Sequence, residues 1–291
     1  MATAPLIVIV GPTASGKTAL AVELATRFGG EIICADSRTV YKGMDIGTAK
    51  PTRDEQRQVF HWGLDLVEPD SLYTAADFQS YATKAIAHIR DKGKIPFLVG
   101  GSGLYVNGVI FDYEFGDKAD AGRRKALEAM SLEELYIYCK KNNIKLPQNN
   151  KNKRYVIRAI EQKGINNRSR QCPIDNTYVV GITTNKNILR TRMKLRIEHM
   201  FANGLVKEAK LLGEKYGWHL QSMTGNVYPL VYKYISNELT QEELIDQALA
   251  QDWRLAKRQL TWFRRNPHIQ WAEIDDVRRE LIKRLETWRQ S

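Results

Sequence analysis

The stretch Leu6-Ile7-Val8-Ile9-Val10-Gly11-Pro12-Thr13-Ala14-Ser15-Gly16-Lys17-Thr18 decides the fold. An apolar run leads into a loop of the form G-x-x-x-x-G-K-[ST], and a helix-like run from Ala19 to Phe28 comes after it. A strand, a glycine-rich loop and a helix in that order form a cradle for phosphates. The glycines let backbone N–H groups turn inward onto phosphate oxygens, and the helix N-terminus adds partial positive charge. In such a cradle Lys17 neutralises the outer phosphate, and the Thr18 hydroxyl ligates a Mg2+ ion that bridges the phosphates. The loop thus predicts a bound polyphosphate without saying which one.

Outward from it, strand and helix signals alternate, as in a parallel α/β sheet. Glu31 to Ala35 reads as a buried strand ending at Asp36-Ser37, and Asp77 to Lys92 as a helix stopped by Gly93. Ile95 to Val99 is a further strand, with Gly100-Gly101-Ser102-Gly103 as its exit loop. Ligands of open α/β sheets sit outside the carboxyl ends of the strands. Three such ends carry chemistry: Gly11 to Thr18, Asp36-Ser37 and Gly101-Ser102. Position alone leaves Asp36 three roles, as a Mg2+ holder, as a general base toward a second substrate, or as a helix-capping acid.

From Phe111 to Asn176 helical patterns dominate (Ala121 to Met130, Leu132 to Lys141), and lysines and arginines from Lys140 to Arg170 face a single acid, Glu161. A strand resumes at Tyr178 to Ile182. We therefore expect a P-loop NTPase-like parallel sheet flanked by helices over 1–110 and 177–291, with a small helical insertion domain at 111–176. The remainder reads as mainly helical, including Ile188 to Ala202 and Gln241 to about Arg265. In the latter, Leu249, Trp253, Ala256, Leu260 and Phe263 recur at helical spacing. Arg254, Lys257, Arg258, Thr261, Arg264 and Arg265 form a neighbouring face without interleaved acids, suited either to solvent or to a phosphate backbone.

Composition narrows the classes. The net charge is +11 over 291 residues, and the isoelectric point is near 9.5. Such a balance on an enzyme-sized chain points to a polyanionic partner. No apolar run is long enough to cross a membrane, and Met1 to Pro5 leads directly into the first strand, so no membrane segment or signal peptide is expected. Cys34, Cys139 and Cys172 are scattered without C-x-x-C spacing, which fits reduced cytoplasmic thiols.

The segment Asp36-Ser37-Arg38-Thr39-Val40-Tyr41-Lys42-Gly43-Met44-Asp45-Ile46-Gly47-Thr48-Ala49-Lys50-Pro51 closely resembles the segment after the phosphate loop of tRNA dimethylallyltransferases, also called tRNA isopentenyltransferases. Tyr73 to Phe78, Pro96 to Tyr105 and Ala256 to Arg264 are similar to further motifs of that family, in the family's order. The resemblance implies transfer of a dimethylallyl group from dimethylallyl diphosphate to the N6 amine of the adenosine 3′ to the anticodon, in tRNAs reading codons that begin with U. It implies a Mg2+ cofactor, a diphosphate held by Gly11, Pro12, Thr13, Ala14, Ser15, Gly16, Lys17, Thr18 and Arg192, and catalysis by Lys17, Asp36 and Ser102. Asp36 becomes the general base for the adenine amine. The tRNA anticodon stem-loop is expected on Asp36, Ser37, Arg38 and Thr39; on Arg124, Lys153, Arg154, Tyr155, Val156, Ile157 and Arg158; and on Lys257, Arg258, Gln259, Thr261, Trp262 and Arg264. A cytoplasmic monomer is implied. One departure stands out: a Gly-Ile-Gly-Tyr-Lys/Arg-like stretch of the family reads Thr224-Gly225-Asn226-Val227-Tyr228-Pro229 here, which weakens or reroutes a tRNA contact. A P-loop kinase using ATP and a tRNA-binding protein descended from the transferase are the rival readings.

Overall fold

The computed structural model describes residues 3–115, 121–162, 169–225 and 227–290. Strands β1 (Leu6–Val10), β2 (Gly30–Cys34), β3 (His61–Trp62), β4 (Ile95–Gly100), β5 (Thr177–Thr183) and β6 (Gln270–Glu273) form one sheet in the order β3-β2-β4-β1-β5-β6. Every pairing is parallel. In chain order the helices are α1 (Lys17–Phe28), α2 (Arg53–Gln58), α3 (Ala75–Asp91), α4 (Gly103–Ile110), α5 (Ala121–Ala129), α6 (Leu132–Lys141), α7 (Lys153–Glu161), α8 (Lys186–Ala202), α9 (Leu205–Tyr216), α10 (Tyr228–Ile235), α11 (Gln241–Phe263) and α12 (Ile274–Gln290).

Strands buried on both faces read as continuous apolar runs, and β1 is fully buried along its length. Its alternation divides the work. Ile7 and Ile9 join Ile32, Phe97 and Ile182 in one core with Leu20 and Leu24 of α1 and with Val277, Leu281 and Leu285 of α12. Leu6, Val8 and Val10 point to the opposite face, where α3 packs against β2 and β4 and buries Phe78, Ala82 and Ile86.

Element ends follow local chemistry. α3 starts two residues before the expected Asp77, because the Thr74 hydroxyl accepts from the Asp77 N–H and the Asp77 carboxylate accepts from the Thr74 N–H. The same reciprocal cap, between Thr240 and Glu243, opens α11. α8 begins at Lys186 rather than Ile188 because the Asn185 side chain accepts from the Asn187 N–H.

The chain divides into two compact units, one of residues 1–111 with 172–291 and one of residues 112–171. The smaller unit carries its own core, in which Leu127, Leu135, Cys139, Val156, Ile157 and Ile160 are buried. In the larger unit the chain leaves β1 toward β2 on one side and later crosses to β5 on the other. A crevice opens at such a reversal, outside the carboxyl ends of the strands.

Candidate active site

The loop after β1 is bent by its own backbone. Ala14 and Gly16 adopt left-handed φ angles of 63° and 91°, and the Ser15 N–H donates to the Pro12 carbonyl at 3.2 Å. At Gly16 the left-handed conformation demands glycine, and a Cβ there would also stand 2.9 Å from Ile274 Cδ1, the movable end of a side chain. Gly16 caps α1 without any side-chain bond, and the first turn carries no acid. The positive end of the helix is left for an anion.

Lys17 folds back over the loop, its Nζ donating to the Pro12 carbonyl at 3.2 Å. Burial is the main influence on its ammonium. Asp36 favours the charge and Arg196 opposes it, and the balance brings the pKa down to about 8. The expectation that Arg192 serves the loop has to be widened. Arg192 is exposed, with Nη1 3.8 Å from where a Cβ on Gly16 would stand. Arg196, one turn further along α8, donates from Nη1 to Thr13 Oγ1 at 2.5 Å and pairs through Nη2 with the buried Asp252 of α11. The sequence reading missed both Arg196 and Asp252.

At the end of β2, Asp36 Oδ1 accepts from the Arg38 N–H at 2.8 Å, which fixes the carboxylate in a tight turn. The end of β4 is tied to this turn. The Ser37 N–H donates to Ser102 Oγ at 3.0 Å, and the Ser102 N–H donates to the Ala35 carbonyl at 3.2 Å. The structure thus brings the phosphate loop, Asp36-Ser37 and Ser102 to neighbouring strand ends.

The remainder of the loop after Asp36 is clamped from α9 and α10. The Glu208 carboxylate accepts from the N–H groups of Asp45, Ile46 and Gly47 at 2.9, 2.7 and 2.9 Å, and from the Tyr228 hydroxyl at 2.8 Å. The buried Lys50 bridges Asp65 at 2.6 Å and Asp45 at 2.5 Å, and also donates to the Tyr41 carbonyl. Arg38 reaches the carbonyls of Gln221 and Ser222, at 2.7 and 3.1 Å, and Thr224 Oγ1 at 3.3 Å. Thr39 is buried. Thr39 is therefore closed off from a partner, whereas Arg38 is tied to the Gln221–Thr224 turn and stays partly exposed. The departing stretch has an internal role as well. Thr224 receives Arg38, Tyr228 is buried, and Pro229 lies in the first turn of α10, where its missing N–H costs nothing. Asn226 lies outside the described residues.

Exposed positive charge lies on α11 and, separately, in the smaller unit. On α11, Arg254, Lys257 and Arg258 are exposed, as are Thr261, Arg264 and Arg265 just beyond, and Lys257 Nζ stands 5.6 Å from the Trp253 ring centre. Gln259 departs from the expected pattern, because it turns to the phosphate loop, whereas Trp262 lies against Gly103 and stays exposed. In the smaller unit Arg154 and Tyr155 are exposed, whereas Val156 and Ile157 are buried and unable to offer side chains to tRNA. Arg124 and Arg158 are anchored on Glu161 at 3.2 and 3.4 Å, and Lys153 Nζ donates to the Glu128 carbonyl. Lys163 and Arg168 lie outside the described residues. Among the described residues no group of three or more His, Cys, Asp or Glu could hold a metal, and no helix is long and apolar enough to cross a membrane.

Comparison with known proteins gives a consistent result. The family model described as IPP transferase matches residues 39–266. A protein of Halalkalibacterium halodurans named tRNA dimethylallyltransferase is 40% identical over 288 residues, covering 94% of this chain and 92% of its own. The crystal structure of full-length tRNA isopentenylpyrophosphate transferase from Bacillus halodurans is similar with a TM-score of 0.73 and 37% identity, over 97% of each chain. A eukaryotic dimethylallyltransferase acting on tRNA shares the fold with a TM-score of 0.77 at 23% identity, covering 93% of this chain and 74% of its own.

Proposed function

The chain belongs to the IPP transferase family, and from that premise we propose that it moves a dimethylallyl group from dimethylallyl diphosphate to an adenine amine of tRNA. The phosphate loop grips the leaving group. The allylic C1–O bond breaks, and diphosphate departs with the electron pair. The adenine N6 forms the new bond to C1 and loses a proton to the Asp36 carboxylate. Negative charge grows on the leaving diphosphate as the bond stretches, and the α1 N-terminus and Lys17 stabilise it, while Arg196 holds Thr13 of the loop in place. Ser102, held against Ser37, orders the edge of the reacting centre.

The observation that carries this reading is the meeting of an anion cradle and a carboxylate at adjacent strand ends, close enough for Asp36 to act electrostatically on Lys17. A kinase also pairs such a cradle with a carboxylate, so the nature of the acceptor separates the two readings. The exposed basic face of α11 supports a polyanionic acceptor. Thr18 would hold Mg2+. A single hydroxyl suits an ion that keeps waters and takes its remaining ligands from phosphate. When bound, it supplies neutralisation of the diphosphate.

The acceptor is the adenosine 3′ to the anticodon in tRNAs reading codons that begin with U, and it must leave its stack to reach Asp36. The protein acts as a cytoplasmic monomer. The test is incubation of dimethylallyl diphosphate, Mg2+ and an anticodon stem-loop, with mass spectrometry of the nucleosides afterwards. N6-dimethylallyladenosine is expected. Only unmodified adenosine after prolonged incubation, or ATP turnover with a nucleoside acceptor, would overturn the proposal.

A further inference from the structure

Two side chains of α11 converge on one residue of the phosphate loop. Asp252 grips Arg196, whose other nitrogen holds the Thr13 hydroxyl. Two turns further on, Gln259 Oε1 accepts from the Thr13 N–H at 2.9 Å, while its Nε2 donates to the Gly101 carbonyl at 3.2 Å. The approach is close. A Cβ on Gly101 would stand 2.2 Å from Gln259 Nε2, and one on Gly103 would stand 2.1 Å from Trp262 Cδ1. One amide therefore spans two catalytic loops, the one after β1 and the one that carries Ser102. A primary amide suits the task because it presents a donor and an acceptor together and adds no charge beside an anion.

We infer that Gln259 is a positioning residue that sets the backbone of the phosphate loop and of the Gly101-Ser102 loop, not a contact to tRNA. The inference rests on the reading of the loop as a diphosphate cradle. Holding the Thr13 peptide in place fixes the direction of the N–H groups after it. Donors fixed in advance of the ligand are worth more than donors that must be ordered by it. The same bridge ties the loop to the helix whose exposed side is basic, so donor and acceptor sites share one element.

The test uses the full chain, with inorganic diphosphate and Mg2+ as one probe and an anticodon stem-loop as the other. Gln259→Leu keeps the volume and removes both hydrogen bonds. Its affinity for inorganic diphosphate is expected to fall roughly tenfold, with stem-loop affinity measured without diphosphate kept within about twofold. Gln259→Glu retains the acceptor for Thr13 but opposes Gly101 and the anion. Its deficit against wild type should shrink as pH falls toward the ordinary carboxylate range, a response that a packing role would not give. Loss of stem-loop binding with diphosphate affinity intact in the leucine variant would make Gln259 an RNA contact and overturn the inference. Wild-type behaviour of both probes would overturn it too. If the leucine variant fails to fold, the pH response of the glutamate variant decides, and a deficit independent of pH overturns the inference. Wild-type protein that does not bind inorganic diphosphate at all would refute the cradle reading itself, before any substitution is made.

Discussion

Lys17 makes the cradle's grip on an anion depend on pH. Burial, reinforced by Arg196 and opposed by Asp36, leaves its pKa at about 8 in the free protein. A bound diphosphate adds negative charge beside the ammonium and raises that value, so binding above the free pKa takes up a proton. Affinity is therefore complete below the free value and falls as pH rises through it. Lys17 is charged in roughly nine-tenths of molecules at about pH 7 and one-tenth at about pH 9, so the apparent Kd for diphosphate should rise about tenfold, or ~1.4 kcal/mol, between them. Calorimetric titration of inorganic diphosphate in buffers of different ionisation enthalpy measures both the affinity and the proton uptake. Lys17→Met supplies the baseline, because it keeps the ligand's own titration and removes the lysine's. If wild type and Lys17→Met share one pH profile, the lysine does not charge on binding and the reasoning fails.

Other substitutions test separate parts of the site. Asp36→Asn should lower the single-turnover rate by roughly 10²–10⁴-fold if Asp36 is the base; diphosphate affinity serves as the control. Glu208→Ala strands three backbone N–H groups and the Tyr228 hydroxyl, and denaturant unfolding should show a loss of about 2–3 kcal/mol. Tyr228→Phe, which removes one of those bonds, should cost about 1 kcal/mol. Lys257→Ala should weaken stem-loop binding across sequences and reduce the slope of log affinity against log salt by about 1; an unchanged slope would make that face of α11 a solvated one.

The sequence disclosed the parts of the fold that depend on local signals. The apolar run at Leu6–Val10 and the loop after it needed no tertiary information, and neither did the strands at Ile32 and Phe97. β3 did not show itself because its two residues, His61 and Trp62, offer no periodicity and are strand only by pairing with Ile32 and Ile33. β6 was hidden for a related reason: Gln270–Glu273 is only partly buried and contains no apolar run. At the site, Arg192 and Arg196 are the same residue type one helical turn apart. What singles out Arg196 is Asp252, on a helix far along the chain. Gln259 sits within a basic, aromatic motif, so the motif suggested an outward role. Only the three-dimensional meeting of Thr13 and Gly101 shows its inward one. Val156 and Ile157 are the reverse case. Their spacing with Ile160 marks a core stripe, which the surrounding arginines and lysines masked.

The position of β1 in the sheet sets the order in which the protein can be completed. Ile7 pairs with Phe97 on one side and with Tyr178 on the other, and Gly16 is covered by Ile274. A ribosome delivers the central strand first and its neighbours much later, so both edges of an apolar strand wait without partners during synthesis. Long-range parallel pairing of this kind is intrinsically slow and exposes edges to other chains. The phosphate loop, translated before the other parts of the site, is thus among the last of them to be finished. A nascent chain that stops short of α12 would carry the signature of the cradle without its outer wall.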